Sequence, residues 1–213
     1  AEIDLTQAII QRASVIHILT ERTPELVAPW YVLPASKLLH VPHPSYRGVY
    51  PDHVSRLDAR HALELTPDEH VTVALGAIRP YKGIDDLLDA WVDVPTDQPR
   101  RLVIAGAAAD GKPAESLVER AAVLPRVLVD ARRVPDAEIQ DMLRAADVAV
   151  FPYRQSLNSG ALLLALTFGV PVIVPSDGGL EDVVDPSFAR TFVVGDRGSL
   201  VQALTDAPAL ATP

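Results

Sequence analysis

Six short segments of this chain are almost continuously apolar and rich in β-branched residues: 71–76, 101–106, 127–130, 147–151, 171–175 and 191–195. A strand with one face in water alternates polar and apolar residues, whereas a strand covered on both faces does not. Segments with helical spacing of apolar residues separate them, over 84–91, 113–123, 136–145, 159–168, 180–184 and 199–204. This alternation predicts an α/β fold built on a doubly wound parallel sheet with right-handed crossovers.

The beginning of the chain has a different rhythm. Residues 5–13 and 24–30 have helical spacing, and residues 15–19 and 38–41 form short apolar strands in this prediction. A stretch rich in proline and glycine follows over residues 42–54, which predicts a domain boundary. We expect residues 1–42 and 43–206 to be separate units, and the Ala/Pro-rich residues 207–213 to fray.

Composition narrows the classes of function. The 213 residues include no cysteine, which excludes disulfides, thiol catalysis and zinc–thiolate sites. A net charge of −9 argues against a nucleic-acid partner. The six histidines lack metal-ligand spacing, so we predict no metal and no other cofactor. The longest apolar run, residues 160–174, is broken by Gly169 and Pro171 and is too short to span a bilayer. We therefore expect a cytoplasmic protein.

Ligands bind at the carboxyl ends of the strands in such sheets, so the loops at that edge are the candidates for function. The first loop runs from Gly76 through Arg79 and Lys82 to a predicted helix start. A guanidinium fork, an ammonium group and free helix N–H groups together suit a phosphate or diphosphate. The alternative is a solvated loop whose charges only aid solubility.

A second loop, over residues 152–160, joins a buried strand to a buried helix. Asn158 or Ser159 is suited to cap that helix, and Gly160 and Ala161 leave its first N–H groups uncovered. We predict a second anion-binding element here, with ordinary helix capping as the alternative.

Two further loops at this edge carry weaker signals. Asp177, Gly178 and Gly179 follow the fifth strand, where a hexose could lie against the main chain; a flexible turn is an equal alternative. Arg133 and Val134 follow the third strand, where the backbone could contact a nucleobase, although most such arginines only face solvent. His43 is a further candidate because prolines flank it at the predicted boundary, with a structural role as the alternative, and Asp110 and Lys112 after the second strand are minor candidates.

In their order along the chain, these motifs resemble the C-terminal half of family 4 glycosyltransferases. The matching pieces are the strand–Gly–x–x–Arg–x–x–Lys–Gly–helix of residues 76–84, the strand and glycine of 102–106, the segment 134–151, and residues 165–179. The resemblance covers nearly the whole chain and implies a GT-B enzyme whose Rossmann-like half binds a nucleotide-diphosphate sugar. Residues 1–42 would then be the end of the N-terminal acceptor domain with its crossover, most of that domain being absent.

The resemblance also implies roles for individual residues. Arg79 and Lys82 would act in catalysis, by holding the donor diphosphate and stabilising it as the leaving group. Donor contacts are expected from Gly76, Arg133, Val134, Ser156, Asn158, Ser159, Gly160, Ala161, Asp177, Gly178 and Gly179. The acceptor would be a sugar, a lipid or a small molecule, and a membrane would be reached only through the absent part.

The chain departs from the family at Ser156 and Leu164, where the family usually has two glutamates. In the family the second glutamate grips the donor ribose, and a leucine cannot accept a hydrogen bond from a hydroxyl. The sequence resembles a divergent branch in this respect. We expect a hexosyltransferase of polysaccharide, glycolipid or glycoside synthesis, inactive as this chain alone. A GT-B type nucleotide-sugar epimerase and a non-catalytic nucleotide-sugar-binding module are the alternatives.

Overall fold

The computed structural model describes residues 2–108 and 112–213. Eight strands lie in these ranges: β1 (Ile16–Ile18), β2 (Leu38–His40), β3 (His70–Leu75), β4 (Arg100–Ala105), β5 (Val127–Asp130), β6 (Val148–Val150), β7 (Val172–Pro175) and β8 (Ala189–Phe192). The α-helices in the same ranges are α1 (Glu2–Arg12), α2 (Thr23–Val27), α3 (Arg56–Ala62), α4 (Ile84–Asp93), α5 (Lys112–Val123), α6 (Ile139–Ala145), α7 (Gly160–Thr167) and α8 (Arg197–Asp206).

Strands β3 to β8 form one parallel sheet in the order β5-β4-β3-β6-β7-β8. The chain first builds outward from β3 through β4 to β5, and then returns to place β6 on the other side of β3. Thr72 of β3 therefore has Leu102 on one side and Val148 on the other. The loops after β3 and β6 leave the sheet in different directions, which opens a crevice at its carboxyl edge. The predicted doubly wound parallel sheet is confirmed.

Helices cover both faces of this sheet and make two cores. On one face α3, α6 and α7 pack through residues such as Leu143 and Leu162, and on the other α4 and α8 pack through Leu87, Trp91 and Leu204. The central strands β3, β4, β6 and β7 are buried on both faces, as their apolar runs predict. The prediction of burial on both faces is wrong for β5 and β8. Each lies at an end of the sheet and has a neighbouring strand on one side only, so part of it stays accessible to solvent.

Several element boundaries differ from those predicted. Helix α6 begins at Ile139 rather than at residue 136, because the preceding residues form a turn in which the Glu138 N–H bonds to the Pro135 carbonyl. Strand β8 ends at Phe192, and the following Val193 is exposed. The predicted helix over 180–184 is a single 3-10 turn, Glu181–Val183. Helix α3 was not predicted, because its seven residues have only Leu57, Ala59 and Ala62 as apolar residues, too few for a clear helical stripe.

The end of the chain is more ordered than its composition predicts. Ala207–Ala209 form a 3-10 turn, and the Ala207 side chain is buried in the core beside α8. Leu210 packs on the same core, and the Ala211 N–H donates to the carbonyl of Ser187 over 3.1 Å. The predicted fraying of residues 207–213 is therefore wrong as far as Ala211.

The N-terminal segment has a small sheet of its own, in which β1 and β2 pair in parallel. Two side chains tie this segment to the turn after β7. The Thr20 hydroxyl donates to Asp182 over 2.6 Å, and Arg22 pairs with Glu181 and donates to the Gly178 carbonyl over 3.1 Å. The domain boundary after residue 42 stays a prediction. Among the helices of the described ranges, none has both the length and the apolar content that crossing a membrane would require.

Candidate functional site

The loop after β3 places a lysine ammonium over a glycine. Gly76 has a φ of 124°, a backbone conformation that favours glycine. A Cβ atom at Gly76 would lie 3.3 Å from Lys82 Nζ, so the missing side chain leaves room for the ammonium. A 3-10 turn, Pro80–Lys82, and the left-handed Gly83 then carry the chain into α4. The predicted strand, glycine turn and helix start are all present.

Lys82 is held by hydroxyl groups rather than by a carboxylate. Its Nζ atom donates to the Tyr153 hydroxyl over 2.7 Å, and that hydroxyl lies 3.2 Å from Ser159 Oγ. The ammonium also lies over the Tyr153 ring, 4.4 Å from its centroid. Among the described residues, no carboxylate lies within ion-pair distance of Lys82. Its positive charge is therefore available to an anion.

Burial changes the acidity of both partners in this contact. Desolvation lowers the pKa of Lys82 from its ordinary value of 10.5, and the nearby charge of Arg79 lowers the pKa further. Desolvation raises the pKa of Tyr153 above 10.0, although its hydrogen bond with Ser159 opposes the shift. A bound anion would offset the desolvation of the ammonium, so anion binding and protonation of Lys82 reinforce each other.

Helix α7 opens toward the same ammonium. Ser159, not Asn158, is the N-cap: its Oγ accepts from the Leu162 N–H over 3.2 Å. The N–H groups of the first helical residues have no carbonyl partner within the helix, so those of Gly160 and Ala161 are free to bind a ligand. The sequence had left the cap open between Asn158 and Ser159, and the structure decides it.

These groups line one depression, which we call the anion cleft. It has a volume of about 380 Å³, and its walls are Tyr81, Lys82, Tyr153, Gln155, Ser156, Leu157, Asn158, Ser159, Gly160 and Ala161. Lys82 and the start of α7, predicted separately as two anion-binding elements, thus face each other. Arg79 is exposed beside the cleft and does not line it. Among the described residues, Arg79 has no carboxylate within ion-pair distance, so it is free to reach a ligand there.

A second depression, the apolar cleft, adjoins the first. It has a volume of about 420 Å³, and its walls are Tyr46, Tyr50, Leu75, Gly76, Ala77, Ala105, Gly106, Ala107, Arg133, Val134, Ile139, Gly160, Ala161 and Leu164. Gly160 and Ala161 line both clefts, so one ligand can occupy the two together. The predicted loop at Arg133 and Val134 is therefore brought to the same site as Gly76, and Leu164 forms part of the wall.

The turn after β7 lies elsewhere. A Cβ atom at Gly178 would lie 2.8 Å from the Ser156 carbonyl oxygen, and one at Gly179 would overlap the Leu157 carbonyl. The two glycines therefore let the loop of residues 156–157 pack against the turn. Contact of a hexose with this turn stays a prediction. Asp177 is exposed and lines neither cleft.

Other cations at this edge are neutralised by carboxylates. Arg154 donates to both Asp85 and Asp86, and their hydrogen bonds raise its pKa. Arg132 pairs with Asp130 and with Glu138. Neither arginine is available to a ligand, which leaves Arg79, Lys82 and Arg133 as the unpaired cations around the two clefts among the described residues.

Comparison with known proteins identifies the family of this site. The profile of a family described as "Glycosyl transferases group 1" matches residues 69–209. The chain belongs to this glycosyltransferase family. The matched range contains all six strands of the larger sheet, helices α4 to α8 and most of the residues that line the two clefts.

Curated relatives of this glycosyltransferase chain are longer proteins. One is a GDP-mannose:glycolipid 4-beta-D-mannosyltransferase of Xanthomonas campestris pv. campestris, 33% identical over 146 residues that make up 62% of this chain and 38% of that protein. Another is a D-inositol 3-phosphate glycosyltransferase of Rhodococcus opacus, 33% identical over 165 residues, which are 71% of this chain and 36% of that protein. The chain thus aligns with little more than a third of each.

Solved structures share the fold over nearly all of the chain. Sucrose-phosphate synthase from Thermosynechococcus elongatus matches with a TM-score of 0.82 at 22% identity, covering 99% of this chain and 54% of that one. Anabaena Alr3699/HepE, solved in complex with UDP-glucose, matches with a TM-score of 0.80 at 16% identity, covering 99% and 59%. The structure is accordingly the Rossmann-like half of a GT-B fold, with a short N-terminal part.

Two residues of this candidate site were not predicted from the sequence. Tyr153, which holds Lys82, was seen only as part of the loop after the fourth apolar segment. Tyr46 lies in the proline-rich stretch that was interpreted as a boundary, yet it lines the apolar cleft. An aromatic residue directly after a buried strand and the motif Pro–His–Pro–Ser–Tyr were the available signals, and neither indicates which side chain faces the cleft.

A further cavity, of about 640 Å³, lies at the opposite edge of the sheet and carries none of the predicted site residues. Its charged groups are paired: Asp147 binds Arg56 and Arg60, and Arg144 binds Asp52. No group of side chains in the described ranges could hold a metal ion. Asp110 lies outside the described residues, and the side chain of Lys112 is not described.

Proposed function

We propose that this chain is the donor-binding half of a hexosyltransferase, which binds a nucleoside diphosphate sugar across the anion cleft and the apolar cleft. The observation that carries the proposal is the position of Lys82. Its ammonium lacks a carboxylate partner among the described residues and faces the free N–H groups of α7, beside a cleft with apolar walls. A diphosphate suits the first cleft and a nucleobase suits the second.

In the longer protein, the same groups would assist transfer of the sugar to an acceptor hydroxyl of a sugar, a lipid or a small molecule. Breaking the glycosidic bond leaves negative charge on the departing diphosphate. Arg79 and Lys82 would stabilise that charge more strongly in the transition state than in the bound donor. The mannosyltransferase and UDP-glucose-binding proteins named above support a nucleotide-sugar donor. We also propose that the acceptor is bound by a further domain, since the chain aligns with little more than a third of its relatives.

Calorimetric titration of this chain with UDP, GDP and ADP tests donor binding. We expect one nucleotide to bind, and Arg79→Ala/Lys82→Ala to abolish that binding, because the double variant removes both charges of the anion cleft. In the longer protein, the same double variant should lower kcat/KM by a factor that corresponds to a loss of about 2 to 4 kcal/mol of transition-state stabilisation. The control is Arg12→Ala/Lys37→Ala, which removes two positive charges from the N-terminal segment. Equal binding by wild type and both double variants, or no binding of any nucleotide, would contradict the proposal.

A further inference from the structure

Tyr46 is a fixed part of the apolar cleft, although it belongs to the segment between β2 and α3. Its backbone N–H donates to the hydroxyl of Thr167 on α7 over 3.1 Å. Its ring packs edge-on against Tyr50, with the centroids 5.6 Å apart. The side chain is half-buried while most neighbouring residues in the segment are exposed. The position of the phenol is therefore determined by contacts on two sides.

His43 determines how the phenol is oriented. Its Nδ1 atom lies 2.8 Å from the Pro44 carbonyl oxygen, and a carbonyl can only accept, so Nδ1 carries the hydrogen. In the neutral ring Nε2 is then an acceptor, and it lies 3.4 Å from the Tyr46 hydroxyl. The phenol consequently directs its hydrogen toward His43. Its oxygen lone pairs remain to accept from a ligand.

The phenol lies where the two clefts meet. A Cβ atom at Gly160 would lie only 2.7 Å from the Tyr46 hydroxyl oxygen and 4.0 Å from His43 Nε2. Gly160 lines both clefts, and Tyr46 lines the apolar cleft. A glycine at the first position of α7 thus lets the phenol approach the free N–H groups of the helix.

The covalent structure of a nucleotide determines which of its groups lies at the junction of the two clefts. In a nucleoside diphosphate the ribose joins the base to the diphosphate, so a ligand that occupies both clefts places its ribose at their junction. The nearby walls, such as Ile139 and Leu164, offer no hydrogen-bonding group. Among the described residues of the apolar cleft, polar side-chain atoms come only from Tyr46, Tyr50 and Arg133. Of these, Tyr46 is the one packed against Gly160.

We propose that the Tyr46 phenol, oriented by His43, accepts a hydrogen bond from a ribose hydroxyl of the bound nucleoside diphosphate. This inference rests on the proposed function, since it requires a nucleotide in the two clefts. It makes Tyr46 a specificity-determining residue: a site built to hydrogen-bond a hydroxyl rejects the analogue that lacks it. The chain should therefore prefer ribonucleotides to the corresponding deoxynucleotides.

The test is a titration cycle that removes the hydrogen bond from either side. Wild type and Tyr46→Phe are titrated with whichever of UDP, GDP and ADP binds most tightly, and with its 2′-deoxy and 3′-deoxy forms. We expect Tyr46→Phe to weaken ribonucleotide binding about five- to tenfold, the size of one net hydrogen bond. Deleting the recognised hydroxyl from the ligand should weaken wild-type binding by a similar factor. Tyr46→Phe should bind the nucleotide that lacks this hydroxyl only slightly more weakly than wild type binds it, because the hydrogen bond is already lost.

Two controls separate this role from a structural one. Tyr31→Phe removes a phenol from the N-terminal segment and should bind every nucleotide as wild type does. His43→Leu should weaken ribonucleotide binding less than Tyr46→Phe does, and should leave binding of the deoxy form that lacks the recognised hydroxyl unchanged. Each variant should also unfold at the wild-type midpoint in urea.

The inference is overturned if Tyr46→Phe binds the ribonucleotide as tightly as wild type. It is also overturned if Tyr46→Phe weakens the binding of the ribonucleotide and of both deoxynucleotides by the same factor. If Arg79→Ala/Lys82→Ala still abolishes binding in that case, the proposed function stands and only the role of Tyr46 fails. If that double variant has no effect either, the proposed function fails as well. The two failures are therefore distinguishable in one set of titrations.

Discussion

At the scale of single residues, the site depends on a lysine without a carboxylate partner among the described residues. Some cations at this edge of the sheet are neutralised, as Arg154 is by Asp85 and Asp86. Lys82 instead meets the uncharged hydroxyl of Tyr153, and desolvation lowers its pKa. A partly buried ammonium held by a neutral group is costly for the free protein and favourable for binding, because an incoming anion supplies the missing charge.

The lowered pKa of Lys82 predicts a pH dependence of diphosphate binding. As the pH rises through that pKa, the ammonium loses its proton and its attraction for the anion, so the affinity for the diphosphate decreases. Because the pKa is lowered, this decrease begins at a lower pH than the ordinary lysine value of 10.5 would give. Lys82→Arg stays charged over the whole range, and its affinity should fall less steeply. Titration from about pH 7 to about pH 10, the range below the ordinary pKa of lysine, with whichever of UDP, GDP and ADP binds measures both curves. Because the titration of the ligand itself is common to both proteins, the difference between the curves reports residue 82. Parallel curves for the two proteins would show that Lys82 does not bind the diphosphate.

At the scale of secondary-structure elements, two loops act as one unit. The Arg154 N–H donates to the Tyr81 carbonyl over 2.8 Å, which ties the loop after β6 to the loop after β3. Helix α7 then begins at the cleft, with the buried Ser159 as its cap. The cap has two functions that can be separated, because it satisfies a helix N–H group and also stands in the wall of the anion cleft.

Replacing Ser159 separates these functions. Ser159→Ala loses the capping hydrogen bond and should lower the free energy of unfolding by about 1 kcal/mol. Ser159→Asp retains a capping oxygen and much of the stability, yet it should abolish diphosphate binding because a carboxylate beside Lys82 takes the place of the anion. Urea denaturation and calorimetric titration give the two quantities. The idea fails if Ser159→Asp binds the nucleotide as wild type does.

At the scale of the whole molecule, the N-terminal segment contacts the anion cleft indirectly, through the turn after β7. Thr20 and Arg22 hold the turn after β7, and that turn packs through Gly178 and Gly179 against the loop of residues 156–157. The Gly179 N–H donates to the Ser156 carbonyl over 3.3 Å. The segment therefore reaches the anion cleft through two layers of contact, although it contributes nothing to its wall.

Removing this support should loosen the loop. In Arg22→Ala the turn loses its bonds to the Glu181 carboxylate and the Gly178 carbonyl, so we expect faster amide hydrogen exchange across residues 153–183. Exchange in the central strands β3 and β4 should not change. The matched control is Arg12→Ala, an exposed arginine of α1. Identical exchange in the two variants would mean that the segment does not hold the turn.

The sheet could be predicted in outline because burial leaves a direct mark on sequence. A strand covered by helices on both faces must be apolar throughout, so β3, β4, β6 and β7 were found within one or two residues. The short polar helix α3 and the packed C-terminal residues 207–211 have no comparable apolar pattern, so neither was predicted. The anion-binding loops were also predictable, since a glycine turn with cations before a helix is a local pattern.

The sequence alone therefore determined the fold class and the loop that carries Arg79 and Lys82, because the first depends on burial and the second on near neighbours in the chain. Only the tertiary structure decided that Lys82 and the start of α7 face each other, that Gly178 and Gly179 pack against the loop of residues 156–157, and that Tyr46 lies beside Gly160. Such pairings join residues far apart in the chain. They follow from the strand order, which brings the loops after β3 and β6 together at the centre of the sheet.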